Sequence, residues 1–323
     1  PAPPPVPAHK LEYGDHAMGT DVKVWLWTAD EPAAADAARA VFAEMKRLDR
    51  EMTSWEPREP GQAPSDIVRV NRAAGGPPVE VSAETLAVIQ RALDVSRRSA
   101  GLFDITVGAF KGLWRFDEDM DGTLPDPAEV LKRKKLVNWK DVVLDKKRHT
   151  VRLKRAGMKI TLGGIAKGYA VDRATEILRK AGFPDCIVQA GGDLMLSGSK
   201  GGAPWQAGIR DPRSERDEYF ATAPVTNHAF STAGDYERTF FIGGRRYHHI
   251  IDPRTGYPAT EARSVTVFAP DALTADGLDD AALILGPEKG MALIESYPDV
   301  GAVIVDKNNQ VHVSKRLDGV VKI

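Results

Sequence analysis

Three aspartates crowd the segment Thr274-Ala-Asp276-Gly-Leu-Asp279-Asp280-Ala-Ala-Leu-Ile-Leu. At i, i+3 and i+4 they share one face of a helix, where like charges repel unless something positive stands among them. Oxygen ligands gathered this way suit Mg²⁺ better than zinc. The same residues also fit an acidic first turn that complements the helix dipole, worth roughly 0.3–1 kcal/mol per charge. A second acidic run, Asp117-Glu-Asp119-Met-Asp121-Gly122, matches the opening of a calcium loop. Ala128 stands at its twelfth position, where a bidentate glutamate is needed, so a solvated loop is the preferred reading.

A glycine turn offers the complementary chemistry. Lys159-Ile-Thr-Leu-Gly163-Gly164-Ile-Ala-Lys167-Gly168 is expected to run from a strand into a helix. Glycines let the backbone approach a ligand closely, and the helix start presents unpaired N–H groups. Lys167 in the first turn adds a point charge that suits a phosphate. A plain strand-to-helix turn with a solvated lysine fits equally, and neither the P-loop spacing nor GxGxxG is present. In Tyr247-His248-His249-Ile250-Ile251-Asp252-Pro253 neighbouring side chains of a strand face opposite ways, so one histidine looks into a given site. That histidine is either a structural one or a base poised near neutral pH. Trp55, just before a proline-rich loop, could stack on a flat ligand ring or pack in the loop. Cys186, the sole cysteine, lies in an apolar run and is expected to be buried and inert, with no disulfide in the chain.

The elements that must position these groups follow from periodicity. Val22, Val24, Leu26 and Thr28 alternate as a strand, and Pro32 opens an alanine-rich helix to about Glu51. A loop at 57–65 precedes a helix capped by Ser82, with Leu86, Ile89, Leu93 and Val95 on its apolar face and Gly101 at its end. A short helix over Pro127–Lys135 leads to strands reading VVLD, TVRLK and KITL, and a helix from about Ile165 to Ala181. Strands are expected near 186–197, 205–210, 225–232, 238–242 and 246–251, then a helix pair near 272–297 and strands at 301–306 and 310–314. Strands in runs with helices inserted at intervals define an α+β protein with mixed or antiparallel sheets and packed helices.

Composition limits the rest. With 323 residues the chain can bury one large core or two lobes. Its 44 basic and 45 acidic residues leave a net charge of -1, which gives no case for wholesale nucleic-acid binding. No apolar run approaches the ~18 residues of a membrane span. The opening PAPPPVPA holds five prolines and is expected to be a stiff tether over 1–15, ahead of a catalytic domain at 16–323. Such a stretch often follows a removed signal or lipid anchor, so export is expected, to the periplasm or to a tether on the outer face of the inner membrane.

Taken in order, these segments resemble the FAD:protein FMN transferase family, the ApbE type. The resemblance is carried by Ala17-Met18-Gly19-Thr20, Met52-Thr-Ser-Trp55, Gly101-Leu-Phe-Asp104-Ile-Thr106-Val-Gly108 and Leu162-Gly163-Gly164-Ile-Ala-Lys167-Gly168. It continues through Gln189-Ala-Gly191-Gly192-Asp193, Ser231-Thr-Ala-Gly234-Asp235-Tyr236, His249-Ile-Ile-Asp252-Pro253-Arg-Thr-Gly256 and Ala275-Asp276-Gly277-Leu278-Asp279. It implies an ApbE-like (T-fold-like) architecture in which FAD is substrate. Met18, Trp55, Leu102, Phe103, Asp104, Thr161, Lys167 and Ile250 would then contact FAD, and Gly164, Asp276 and Asp280, with Asp279 adjoining, would hold magnesium. Thr161 stands where the family commonly has Asp, Asp280 where Thr or Ala is common, and Val68 where Ser is usual.

The reaction so implied is attack of a threonine or serine hydroxyl on the FMN-side phosphorus of FAD, with AMP leaving and His249 as candidate base. The acceptor pattern Asp-x-x-(Ser/Thr)-(Gly/Ala)-Ala-Thr is absent from this chain, so the acceptor is a separate protein, expected to be a membrane-associated electron-transfer subunit. An FAD pyrophosphatase, with water in place of the hydroxyl, and a flavin carrier without turnover are the rival readings.

Overall fold

A computed structural model describes residues 7–117, 119–214 and 218–323. The first six residues of the proline-rich opening, and Glu118 of the second acidic run, lie outside the described residues. The centre is an eight-stranded antiparallel sheet. Its strands, in spatial order, are His9–Ala17, Thr20–Thr28, Cys186–Ala190, Asp193–Ser197, His228–Gly234, Ala262–Ala269, Gly301–Asp306 and Val311–Val313.

The sheet begins earlier than a tether over 1–15 allows. Leu11 and Tyr13 pack against the core, and His9–Ala17 pairs residue by residue with Thr20–Thr28. Only Met18 and Gly19 join the two strands, both at positive φ (55° and 69°), the geometry a two-residue hairpin turn requires. Left-handed backbone is costly for methionine, and Asp49 holds it there by accepting the Met18 N–H at 3.0 Å.

Val22, Val24 and Leu26 point to one face of the sheet, as their alternation predicts. That face is covered by the helix Glu31–Met52, by Ala166–Lys180 (the lysine helix) and by Ala272–Glu295 (the acidic helix). Ser82 caps the helix Ala83–Arg98 through the Thr85 N–H, 2.9 Å away. The acidic helix is interrupted at Gly286 (φ 76°), followed by Pro287, which matches the expected helix pair. The opposite face of the sheet carries the hairpin Trp205–Arg210 and Tyr219–Val225, packed on Leu196, Phe230 and Phe268.

Four strand expectations need correction; the first is 246–251, which ends as a strand at His248 and resumes only as the short Ile251–Asp252. Lys159–Leu162 is not a strand, although Ile160 and Leu162 are fully buried. The Asn71 amide accepts from the Ile160 N–H at 2.7 Å and donates to its carbonyl at 2.9 Å, standing in for a neighbouring strand. The 186–197 stretch is two strands folded about Gly191-Gly192, and 225–232 spans the end of one strand and the start of the next, with Asn227 at φ 52° in the turn. In the second acidic run two of the described aspartates meet cations of the chain itself. Asp117 pairs with Arg238 and Asp121 with Arg115.

Candidate active site

The acidic helix, the lysine helix and the turn between Cys186–Ala190 and Asp193–Ser197 converge at one end of the sheet. Asp276 points at the start of the lysine helix, where its carboxylate accepts the Gly168 N–H at 2.8 Å. Gly168 has to be glycine: a Cβ there would lie 2.3 Å from the Ala272 carbonyl oxygen. Asp279, one turn further on, accepts from the Ser231 hydroxyl at 2.6 Å. The same hydroxyl lies 2.5 Å from Asp193, and Asp193 is ion-paired with Lys167. Carboxylate oxygens of Asp193, Asp276 and Asp279 gather within 4.8 Å of one another, all buried. Asp280 turns to the glycine turn, its Oδ2 only 2.6 Å from where a Cβ on Gly164 would sit.

Four carboxylates and one ammonium leave this buried cluster short of positive charge. Burial, with repulsion from Asp193, raises the Asp276 pKa to about 8 against the pull of Lys167. Burial likewise raises Asp280 to about 6, and burial with repulsion from Asp280 and Asp276 carries Asp279 well above the usual carboxylate range. Burial disfavours the Lys167 ammonium, but the charges of Asp193 and Asp276 outweigh it, so its pKa is raised. An oxygen-only donor set with this deficit fits a hard divalent cation such as Mg²⁺.

The cluster opens into a cavity of about 2100 Å³ lined by each of the expected FAD contacts: Met18, Trp55, Leu102, Phe103, Asp104, Thr161, Lys167 and Ile250. Two of them also make contacts within the chain. The Asp104 carboxylate is turned inward, accepting from Thr106 N and Oγ1 (2.8 and 2.6 Å) and from Trp139 N (2.9 Å). There it caps the short 3-10 turn Ile105–Phe110. The face of Trp55 carries the Lys111 ammonium, 3.3 Å from the ring centroid and 3.0 Å from Ser54 Oγ. Burial lowers the Lys111 pKa to about 8.

The strand ends at His248, and the two histidines part at that break rather than by strand alternation. His248 is buried and donates from Nε2 to the Ala259 carbonyl at 2.8 Å. His249 lines the cavity and donates from Nδ1 to the Glu237 carbonyl at 3.3 Å, which leaves Nε2 with its lone pair. Burial, the Arg238 charge and His248 lower the His249 pKa to about 3, so the ring is neutral at physiological pH.

Sequence reasoning overlooked Asp193, Ser231 and Lys111 as site residues. Asp193 follows a Gly-Gly turn, which is a usable signal for a carboxylate placed at a site. Ser231 and Lys111 carry no such mark.

This is a ligand-cleft enzyme site of an α+β protein, with a carboxylate and lysine centre at the end of an antiparallel sheet. The chain belongs to the ApbE family, whose model matches residues 18–304. It is 32% identical over 303 residues to an FAD:protein FMN transferase of Klebsiella pneumoniae, spanning 94% of this chain and 91% of that one. It is 35% identical over 265 residues to an FAD:protein FMN transferase of Treponema pallidum, spanning 77% and 73%. The fold superposes on the ApbE protein of Thermotoga maritima with a TM-score of 0.86 at 33% identity, covering 97% of this chain and 99% of that chain.

Proposed function

We propose that this protein transfers FMN from FAD to a threonine or serine hydroxyl of a separate protein and releases AMP. The observation that carries the reading is the buried carboxylate cluster with Lys167 in the wall of a cavity large enough for a dinucleotide. The curated relatives named for this activity support it. Asp193, Asp276 and Asp279 would hold Mg²⁺, with Asp280 and Gly164 beside them. When bound, the ion would draw negative charge from the pyrophosphate oxygens, a contribution of several kcal/mol.

The protein's own groups do the rest. Lys167 and the N–H groups at the start of its helix add fixed positive potential where the substrate phosphates lie. The acceptor oxygen forms a bond to the FMN-side phosphorus while the bond to the AMP oxygen breaks. His249 Nε2 takes the hydroxyl proton, since Nδ1 is committed to Glu237. Trp55 and Phe103 line the wall of the same cavity and limit access of water.

The test is mass spectrometry after incubation with FAD, Mg²⁺ and a domain bearing the Asp-x-x-(Ser/Thr)-(Gly/Ala)-Ala-Thr sequence. A mass gain on the domain equal to FMN, lost in Asp276→Ala, is the expected result. Free FMN and AMP with an unmodified domain would instead mean hydrolysis, and intact FAD would leave a carrier.

A further inference from the structure

We propose that a second arm of the cavity is the dock for the acceptor polypeptide, bound as an extended acidic segment, an inference that rests on the transfer reading above. The residues expected to contact FAD account for only part of the cavity wall. Its volume of about 2100 Å³ is roughly twice the upper end for a small-molecule site. The remainder passes over the Gly191-Gly192 turn to the opposite face of the sheet. That crossing is bare of side chains by necessity. Gly191 is at φ 61°, and a Cβ on it would lie 2.8 Å from Thr20 Oγ1, while one on Gly192 would lie 2.6 Å from the Thr232 carbonyl.

Beyond the crossing, the floor is made by the outward residues Trp25, Ile187 and Leu194, each half-buried with no helix over it among the described residues. The far wall is the strand Trp205–Arg210, which lines the cavity with residues of both faces. One edge of that strand pairs with Tyr219–Val225. Its other edge makes no backbone ladder among the described residues, which is the template that extended peptides use.

Charge selects the kind of segment. Lys10 and Lys23 stand 5.9 and 6.0 Å over the Trp25 ring, and Lys200 stands 5.9 Å over Trp27. All three are exposed and line the arm, so an acidic chain with apolar residues at alternate positions meets both rim and floor. Continuity decides the occupant. A hydroxyl that attacks a phosphate held at the carboxylate cluster must arrive through space joined to it, and this arm is so joined.

The experiment is steady-state transfer by the full chain to a peptide of about 15 residues in which Asp-Gly-Ala-Thr-Gly-Ala-Thr is flanked by acidic residues alternating with apolar ones, long enough to lie along one strand edge. Its variants are the combined Lys10→Glu, Lys23→Glu and Lys200→Glu chain and, separately, Ile187→Arg. FAD affinity is followed in parallel by flavin fluorescence. In both variants KM for the peptide should rise about tenfold or more, with kcat and FAD affinity nearly unchanged. An unchanged KM overturns the dock and leaves flavin transfer standing. Loss of FAD affinity in the lysine variant also overturns it, because the arm would then hold the nucleotide. Absence of transfer by the unaltered chain removes the reading on which the dock rests.

Discussion

Replacing Lys167 by methionine takes away the ammonium that faces Asp193 and Asp276 while keeping the length of the side chain. Its Nζ lies 3.7 Å from Asp276 Oδ1, and its side chain is 23% exposed. At an effective dielectric of about 20 that single attraction is about 4–5 kcal/mol before desolvation. Removing one partner of a buried pair typically costs about 3–5 kcal/mol overall, because the other charge is left uncompensated. Unfolding entropy near 2.1 cal/mol/K per residue gives about 0.7 kcal/mol/K for a chain of this size, so Tm should fall by about 4–7 °C. The assay is differential scanning calorimetry at pH 9, above the Asp276 value of about 8 so that the carboxylate is ionised, in EDTA and again in excess Mg²⁺. The cation replaces the missing charge, so the deficit should narrow to less than about 2 °C, by linkage of binding to folding. The pH dependence has a definite sign. Asp280 and Asp276, raised to about 6 and about 8, favour the folded state below the unfolded carboxylate pKa, and that advantage is lost as pH climbs through those values. The metal-free deficit of the variant should therefore be larger at pH 9 than at pH 6. A metal-free Lys167→Met protein that melts at or above the unaltered one would refute the charge argument.

Two further changes probe the rest of the site. Gly164→Ala places a Cβ 2.6 Å from Asp280 Oδ2 and 3.5 Å from Phe103, so Mg²⁺ affinity by calorimetric titration should fall about tenfold (~1.4 kcal/mol), with little change in metal-free Tm. An unaltered affinity would remove the contact between Gly164 and Asp280 from the metal centre. His249, with its pKa held near 3, is neutral from pH 5 upward. His249→Ala should lower kcat for transfer by about a hundredfold or more without moving any limb of the pH–rate profile between about pH 5 and 9. Full activity would hand the role of base to another group.

The long helices and the strand Thr20–Thr28 were legible because their signals are local, whereas the hairpin that strand makes with His9–Ala17 was not. Ser82 caps where a capping serine was expected, and Val22, Val24 and Leu26 bury as their alternation requires. The acidic turn was also legible, since Asp276, Asp279 and Asp280 lie within five residues. Its true partner was not. Asp193 and Ser231 reach Asp279 across 48 or more residues of chain, through a sheet register that no local pattern encodes. Lys159–Leu162 misled because burial alone produces alternation; the partner of its backbone is the side chain of Asn71, 89 residues away. Asp104 lies at the site but keeps its carboxylate for Thr106 and Trp139, a distinction that residue type cannot convey.

Cys186 is buried on the helix-covered face of the sheet, and burial raises its thiol pKa to about 12. At pH 7.5 its thiolate fraction is then on the order of 10⁻⁴ to 10⁻⁵, and the sulfur is shielded from reagents. Cys186 is thus chemically silent toward thiol labels. A cysteine introduced at Lys23 or Lys200 would be the one reactive position, so a spin label, a fluorophore or a disulfide trap for a passing acceptor can be set beside the cleft without first deleting the native thiol.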